Sequence, residues 1–211
     1  MILQIFISVG YSQEKYIKWG INGGLNLAKI KNIEHFGGGN ESKIKTGLNI
    51  NVYAEIHLSK NWFFQPGLGY SQLGAKNNEF LYSPNNMPNI QPGGPSALQT
   101  KFRSNYLILP LPVKYKFSNT GIGVFAGPQF GYLFTIRGEG GAQTFSGNIT
   151  DMFHKFDVAF IGGAEYYLPS GIGISAQYQW GLTNISKATQ WFSPPPSLKN
   201  NTFSILIGYR F

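Results

Sequence analysis

Between Lys155 and Thr183 the chain alternates so regularly that only one kind of secondary structure accommodates it. Phe156, Val158, Phe160, Ala164, Tyr166 and Leu168 fall on even positions, with Lys155, Asp157, Ala159, Gly163 and Glu165 between them. After Pro169-Ser170-Gly171 the pattern restarts, and Ile172, Ile174, Ala176, Tyr178, Trp180 and Leu182 alternate with Gly173, Ser175, Gln177, Gln179 and Gly181. Successive side chains of a strand point to opposite faces, so this period of two predicts a β-hairpin. Its polar face is mainly glycine, serine and glutamine, where a sheet facing bulk water would carry lysine, glutamate and threonine. Small uncharged polar groups suit a cramped interior.

The same alternation recurs along the chain. A first strand is expected near Trp19 to Ala28, with Trp19, Ile21, Leu25 and Leu27 opposing Asn22, Gly24 and Asn26. The second runs from about Ile44 to Leu58, and the third from Trp62 to Gly74. The fourth, Asn105 to Phe117, sets Leu107, Leu109, Leu111, Val113, Tyr115 and Phe117 against Tyr106, Pro110, Pro112, Lys114 and Lys116. Gly121 to Thr135 is the fifth, the Phe156–Leu182 hairpin supplies two more, and Thr202 to Phe211 is the last. Between them lie three short turns, at 59–61, 118–120 and 169–171, and four long connections: a glycine-rich loop around Gly37-Gly38-Gly39, proline-rich Ala75–Arg103, a second glycine-rich loop reaching Phe153, and Asn184–Asn200. Long and short connections therefore alternate around eight strands. An outer-membrane barrel keeps its short turns at the periplasmic end and its long loops outside, whereas a soluble sandwich has no reason to sort them. Strands of about ten to fifteen residues also suffice to cross a bilayer, and closure satisfies every backbone group without water.

Composition enters here because it separates lipid from water. Charged residues are 12% of the 211, about half the share of an ordinary soluble domain, and aromatics reach 16%. A soluble lipocalin-type ligand-binding barrel would put those rings inside a charged exterior, and the charge for it is missing. The net charge of +8 is spread along the chain with no Lys/Arg run and no helix to present one, so nucleic acid is not an expected partner. Outer-membrane lipid and lipopolysaccharide, with anionic head groups, are. The rings of Trp19, Trp62, Phe64, Tyr70, Tyr115, Phe117, Tyr132, Phe134, Tyr166, Trp180 and Tyr209 fall near strand ends, where amphipathic aromatics sit at head-group level. No apolar run approaches the roughly 20 residues of a membrane helix. Met1–Val9 is nonetheless almost wholly apolar and is followed by Gly10-Tyr11-Ser12, so residues 1–12 read as a signal peptide lacking its basic start, and 13–211 as the barrel domain.

The end of the chain is the most specific stretch. Phe203, Ile205, Ile207, Tyr209 and Phe211 alternate to the last residue. This resembles the C-terminal strand of bacterial outer-membrane proteins, which implies the barrel-assembly machinery as a partner during insertion. The segment from Asn105 to Phe117 resembles the Tyr-Leu-x-x-Pro-x-x-x-Lys-Tyr strand of the small Bacteroidetes-type outer-membrane β-barrels often labelled PorT-like, and Gly127-Pro128 and Gly131-Tyr132 continue the likeness. Pro112 departs from it, and two prolines in one strand remove two ladder donors, so a bulge or an unpaired stretch is expected there. The resemblance implies an eight-stranded antiparallel up-and-down transmembrane β-barrel, and no single activity, since members of that family share none.

Residues for chemistry are sparse. His35, His57 and His154 lie in different elements without a metal-ligand partner at close spacing, and no cysteine is present, so no metal and no cofactor are expected. His57-Leu58-Ser59 has the His-x-Ser form of lipid A deacylase barrels but abuts the short turn, away from the outer leaflet, with no carboxylate placed to orient the histidine. Gly37-Gly38-Gly39 lacks the strand, helix and lysine of a phosphate loop. Trp191 and Phe192, beside Pro194-Pro195-Pro196, form a weak carbohydrate-binding signal.

What remains is the inward face. Parity sends Asn51, Tyr53, Glu55, Lys114, Lys116, Gln129, Asp157, Glu165, Gln177, Gln179 and Arg210 into a lumen just wide enough for side chains. Glu55, Lys114 and Glu165 stand about five residues before short turns, and Arg210 beside the chain end, so a lumen charge cluster of Glu55, Lys114, Lys116, Glu165 and Arg210 is expected at the periplasmic level. The sequence thus points to a non-enzymatic structural or interaction protein of the bacterial outer membrane, whose long loops meet an extracellular or envelope protein. The alternatives are a narrow channel for small solutes, a soluble ligand-binding barrel and a lipid-modifying enzyme.

Overall fold

The computed structural model describes residues 17–31, 44–77, 100–140, 145–187 and 197–211. Eleven strand segments follow one another: β1 (Ile17–Lys31), β2 (Lys45–Ser59), β3 (Trp62–Phe64), β4 (Gly67–Asn77), β5 (Thr100–Pro110), β6 (Val113–Lys116), β7 (Ile122–Gly140), β8 (Phe145–Asn148), β9 (Phe156–Tyr167), β10 (Ile172–Gly181) and β11 (Lys199–Arg210). All pairings are antiparallel, and β1 pairs with both β2 and β11, which closes the sheet into a ring. The strands β3 and β4 form one stave, β5 and β6 another, and β8 only lengthens the β7 edge, so the ring has eight staves.

Proline explains the two broken staves. Pro110 and Pro112 lack an N–H, and the ladder stops between β5 and β6 at Leu111-Pro112. The neighbouring stave is interrupted beside it at Gln65-Pro66, a break that was not evident from sequence. Carbonyls bridge the gap: Gln65 N donates to Pro112 O, Ala54 N to Pro66 O and Leu111 N to Pro128 O, each at 2.9 Å. A bulge in β7 is the other irregularity. Asn105 aligns with Thr135 but Tyr106 with Leu133, leaving Phe134 as the extra residue. Beyond it β7 continues to Gly140, and a 3-10 turn (Thr150–Met152) follows β8, so much of the expected glycine-rich loop is structured.

The outward face is apolar, as the alternation requires of a chain solvated by lipid. Leu25, Leu48, Ile50, Val52, Leu68, Leu109, Val124, Phe160, Ile174 and Ile205 are all exposed on it. This excludes the lipocalin-type alternative, whose exterior would be charged. Aromatic girdles bound the band. At the turn end Tyr115 stacks edge-to-face on Trp62 at 5.1 Å and on Phe117 at 5.2 Å. At the loop end Tyr132 meets Phe156 at 5.4 Å and Phe134 at 5.7 Å, and Tyr178 meets Trp180 at 4.7 Å. Just beyond, a polar ladder crosses three staves: Tyr70 OH donates to Asn105 Oδ1 at 2.6 Å, Gln72 Nε2 to the same oxygen at 3.2 Å, and Asn105 Nδ2 to Thr135 Oγ1 at 2.8 Å.

Candidate functional site: the lumen

The inside of the barrel is built in three layers, each supplied by the inward-pointing half of the same staves. At the turn end lies the charge cluster. Glu55 projects from β2, Lys114 and Lys116 from β6, Glu165 from β9 and Arg210 from β11. Lys114, fully buried, stands between the two carboxylates, 3.1 Å from Glu55 Oε2 and 2.6 Å from Glu165 Oε1. Lys116 pairs with Glu55 Oε1, and Arg210 Nη1 lies 3.6 Å from Glu55 Oε2. Three cations thus face two carboxylates. The surplus positive charge rests on ring faces and at the rim: Lys116 Nζ is 4.2 Å from the Phe63 centroid and Arg210 Cζ is 4.7 Å from that of Tyr167. Glu165 meets Lys114 alone among the described cations, so Arg210 and Glu165 communicate only through Lys114 and Glu55.

Above the cluster, Tyr53 and Tyr167 share a hydrogen bond between their hydroxyls at 2.8 Å. A neutral polar layer follows. Asn26 is its hub, with Nδ2 donating to Ser71 Oγ at 2.9 Å and Oδ1 accepting from Ser204 Oγ at 2.7 Å and Asn49 Nδ2 at 3.2 Å. On the opposite wall Gln129 Nε2 donates to Gln179 Oε1 at 3.0 Å. Between the charged and neutral layers a cavity of about 30 Å³ is lined by Asn22, Asn49, Asn51, Tyr53, Gln129 and Glu165, among others. That is enough for about two water molecules, with amide oxygens to bind them.

The loop end is apolar, which sequence reading missed. Ala28, Ile30, Leu73, Ala75, Tyr106, Ile108, Leu133 and Ile136 point inward and pack with Phe153, Ile185 and Leu198 from the connections. Those connections are tied together across the mouth: His154 N donates to Ile185 O and Ile185 N to Leu198 O, both at 2.9 Å, and Lys187 N to Met152 O at 3.0 Å. Asp157 anchors the same region from below, accepting from Thr183 Oγ1 at 2.7 Å and Asn200 Nδ2 at 2.8 Å. A signal for this layer was present in Tyr106-Leu107-Ile108-Leu109, a run apolar on both faces, as a strand between lipid and an apolar core must be.

The remaining sequence-marked residues have plainer settings. Phe203, Ile205, Ile207 and Tyr209 point outward from β11, and Phe211 N donates to Trp19 O at 2.9 Å, so the last residue is tied to the first strand. His57 and Ser59 are exposed at the turn end, and the His57 ring lies 5.0 Å from that of Phe63. Among the described residues no three His, Asp or Glu side chains converge as a metal site. His35, Gly37–Gly39, Trp191, Phe192 and residues 1–12 lie outside the described residues.

Solved barrels show the same architecture. Ail, the attachment invasion locus protein of Yersinia pestis, whose structure was determined with the heparin analogue sucrose octasulfate, superimposes with a TM-score of 0.51 at 14% identity, over 92% of this chain and 99% of its own. Neisserial surface protein A gives 0.50 at 10% identity, over 92% and 97%. At such identity the likeness carries the fold alone. No curated protein matches the chain. A family model described as the outer membrane protein beta-barrel domain matches residues 11–187 of the 211. With a closed ring, an apolar exterior, girdled rims and that match, the chain belongs to the outer membrane protein beta-barrel domain family and resides in the outer membrane.

Proposed function

We propose that the protein is a closed, non-enzymatic barrel that serves a structural or interaction role in the bacterial envelope, presenting its long loops to an extracellular or envelope protein. The observation that carries this reading is the double seal of the lumen: Lys114, bridged to two carboxylates, blocks the turn end, and Phe153, Ile185 and Leu198 cover the loop end. A solute would have to break buried ion pairs and displace an apolar cap. Reconstituted in planar bilayers, the barrel should give no stable open-channel current. Steady conductance steps would replace this reading with the narrow-channel one. Crosslinking in intact cells would identify the loop partner and would tell whether the PorT-like likeness extends to a shared assembly.

Recognition of β11 by the barrel-assembly machinery is supported by the outward apolar row that Phe203, Ile205, Ile207, Tyr209 and Phe211 form on the strand that closes the ring. Replacing Phe211 by serine should reduce the amount of assembled barrel several-fold, as read by the shifted gel mobility of unboiled samples, while an equally drastic change at Ser83 should not. Equal surface levels of the two variants would remove the C-terminal row from the assembly argument.

A further inference from the structure

Above the polar ladder, the outward faces of three neighbouring staves change from neutral to strongly basic. The rung after Gln72, Asn105 and Thr135 places Arg103 between Gly74 and Arg137, and the next places Lys101 between Lys76 and Glu139. Lys76, Lys101, Arg103 and Arg137 are all exposed, and none forms an ion pair with a described residue. Arg103 therefore opposes Arg137 directly, and Lys101 opposes Lys76. Directly opposed side chains of an antiparallel pair have their Cβ atoms about 5 Å apart, a spacing at which like charges destabilise a sheet. A lone repulsive pair is tolerable. With one such pair on each of two successive rungs, about 7 Å apart along the strand, Glu139 is a single carboxylate set against four cations, and the positive charge left over calls for a further counter-charge.

The position of the tetrad identifies that counter-charge. It sits on the lipid-facing side, immediately outside the apolar band and its loop-end aromatics, on the end that carries the long loops. We propose that Lys76, Lys101, Arg103 and Arg137 form a binding site for the phosphate groups of the outer-leaflet glycolipid, the lipid A portion of lipopolysaccharide. The two guanidinium forks grip one phosphate and the two ammonium groups attract a neighbouring one. Its acyl chains then lie down the apolar faces of β4, β5 and β7, past Leu68, Leu107 and Phe130. Attachment to the wall of the barrel, rather than to a pocket, suits a ligand whose other half is membrane.

This inference rests on the outward orientation of the long loops and not on closure of the lumen, so a conducting barrel would leave it standing. The test uses the full refolded barrel in a zwitterionic detergent, with unfolding midpoint followed by the gel mobility of unboiled samples. Bis-phosphorylated lipid A should raise the midpoint, and Arg103→Gln/Arg137→Gln should weaken its apparent affinity by about tenfold. Lys18→Gln/Lys60→Gln, which removes the same charge from the turn end, should leave the affinity unchanged. Without lipid A the arginine double variant should be at least as stable as the parent, because a repulsion has been removed. Equal protection by dephosphorylated lipid A would reduce the effect to acyl packing, and equal protection by inorganic phosphate would make the site one for free anions. Equal weakening in the Lys18/Lys60 variant would reduce it to net charge. A loss of stability in the lipid-free arginine variant would make these arginines structural. Each of those four results overturns the proposal.

Discussion

Lys114→Met is expected to lower the unfolding free energy of the barrel by about 3–5 kcal/mol, the cost of leaving a buried charge without its partner. The side chain is fully buried and lies within 3.1 Å of one carboxylate and 2.6 Å of the other. Glu55 keeps Lys116 and Arg210 when Lys114 is lost, but Glu165 keeps no described cation. Most of the penalty should therefore arise at Glu165, and Glu165→Gln should recover much of it in the Lys114→Met background. A coupling of about 1–3 kcal/mol is expected between the two positions. Urea unfolding from lipid vesicles, followed by tryptophan fluorescence, measures all four members of the cycle. Lys116→Gln and Arg210→Gln should each cost less, since those side chains retain 24% and 19% of their exposure and share one carboxylate. Additive effects at Lys114 and Glu165 would mean that the pair is not a functional unit of the seal.

Gly173→Val is expected to prevent most of the chain from reaching the folded, heat-modifiable form. The Tyr167 ring lies flat across the opposed glycine, and a Cβ at position 173 would come within 2.5 Å of its Cδ1. Gly208 on the next strand sits under the same residue, with its would-be Cβ 2.6 Å from the hydroxyl. The arrangement repeats just across the β1–β11 seam, where a Cβ at Gly20 would be 2.3 Å from Tyr53 Cζ. Both rings are locked tip to tip by their 2.8 Å hydrogen bond, so neither can swing aside without unseating the other. Overpacking of this kind costs about 1–3 kcal/mol when the neighbour can yield, and more here because it cannot. Tyr167→Ala should relieve only part of the defect, because Tyr166 O also lies 2.7 Å from the added Cβ: the two changes should be less than additive, yet the double variant should still fold worse than Tyr167→Ala alone. Fully additive effects would place the strain in the backbone alone and none of it under the ring.

Period two carried most of the architecture. A strand between lipid and a polar lumen has to alternate, and the positions of all eight staves could be read from Trp19 to Phe211 on that ground. The depth of the lumen charges could be counted from the short turns, but the pairing could not. Which carboxylate Arg210 approaches depends on the stagger between staves, and stagger is a property of the closed ring. Alternation was uninformative wherever both sides of a strand are apolar, which is why Ile30, Leu73, Ile108, Leu133 and Ile136 went unnoticed as a core. Local irregularities escaped for a different reason. Phe134 is extra only relative to the partner strand, and the basic rungs of Arg103 and Arg137 exist only once β5 and β7 are in register.

Closure of the ring has a kinetic side. The seam runs twelve residue pairs from Gly20↔Arg210 to Lys31↔Lys199, and across it Ser204 reaches Asn26, 178 positions earlier in the chain. Hairpins such as β9–β10 can form as soon as their turn has, but the seam must draw the two ends of the chain together before it returns any favourable contact. Until then the nascent sheet has two unpaired borders, each a template for another chain. The protein is consequently most vulnerable to misassociation in the interval just before its final stave docks, and a chain truncated within β11 would remain in that interval indefinitely.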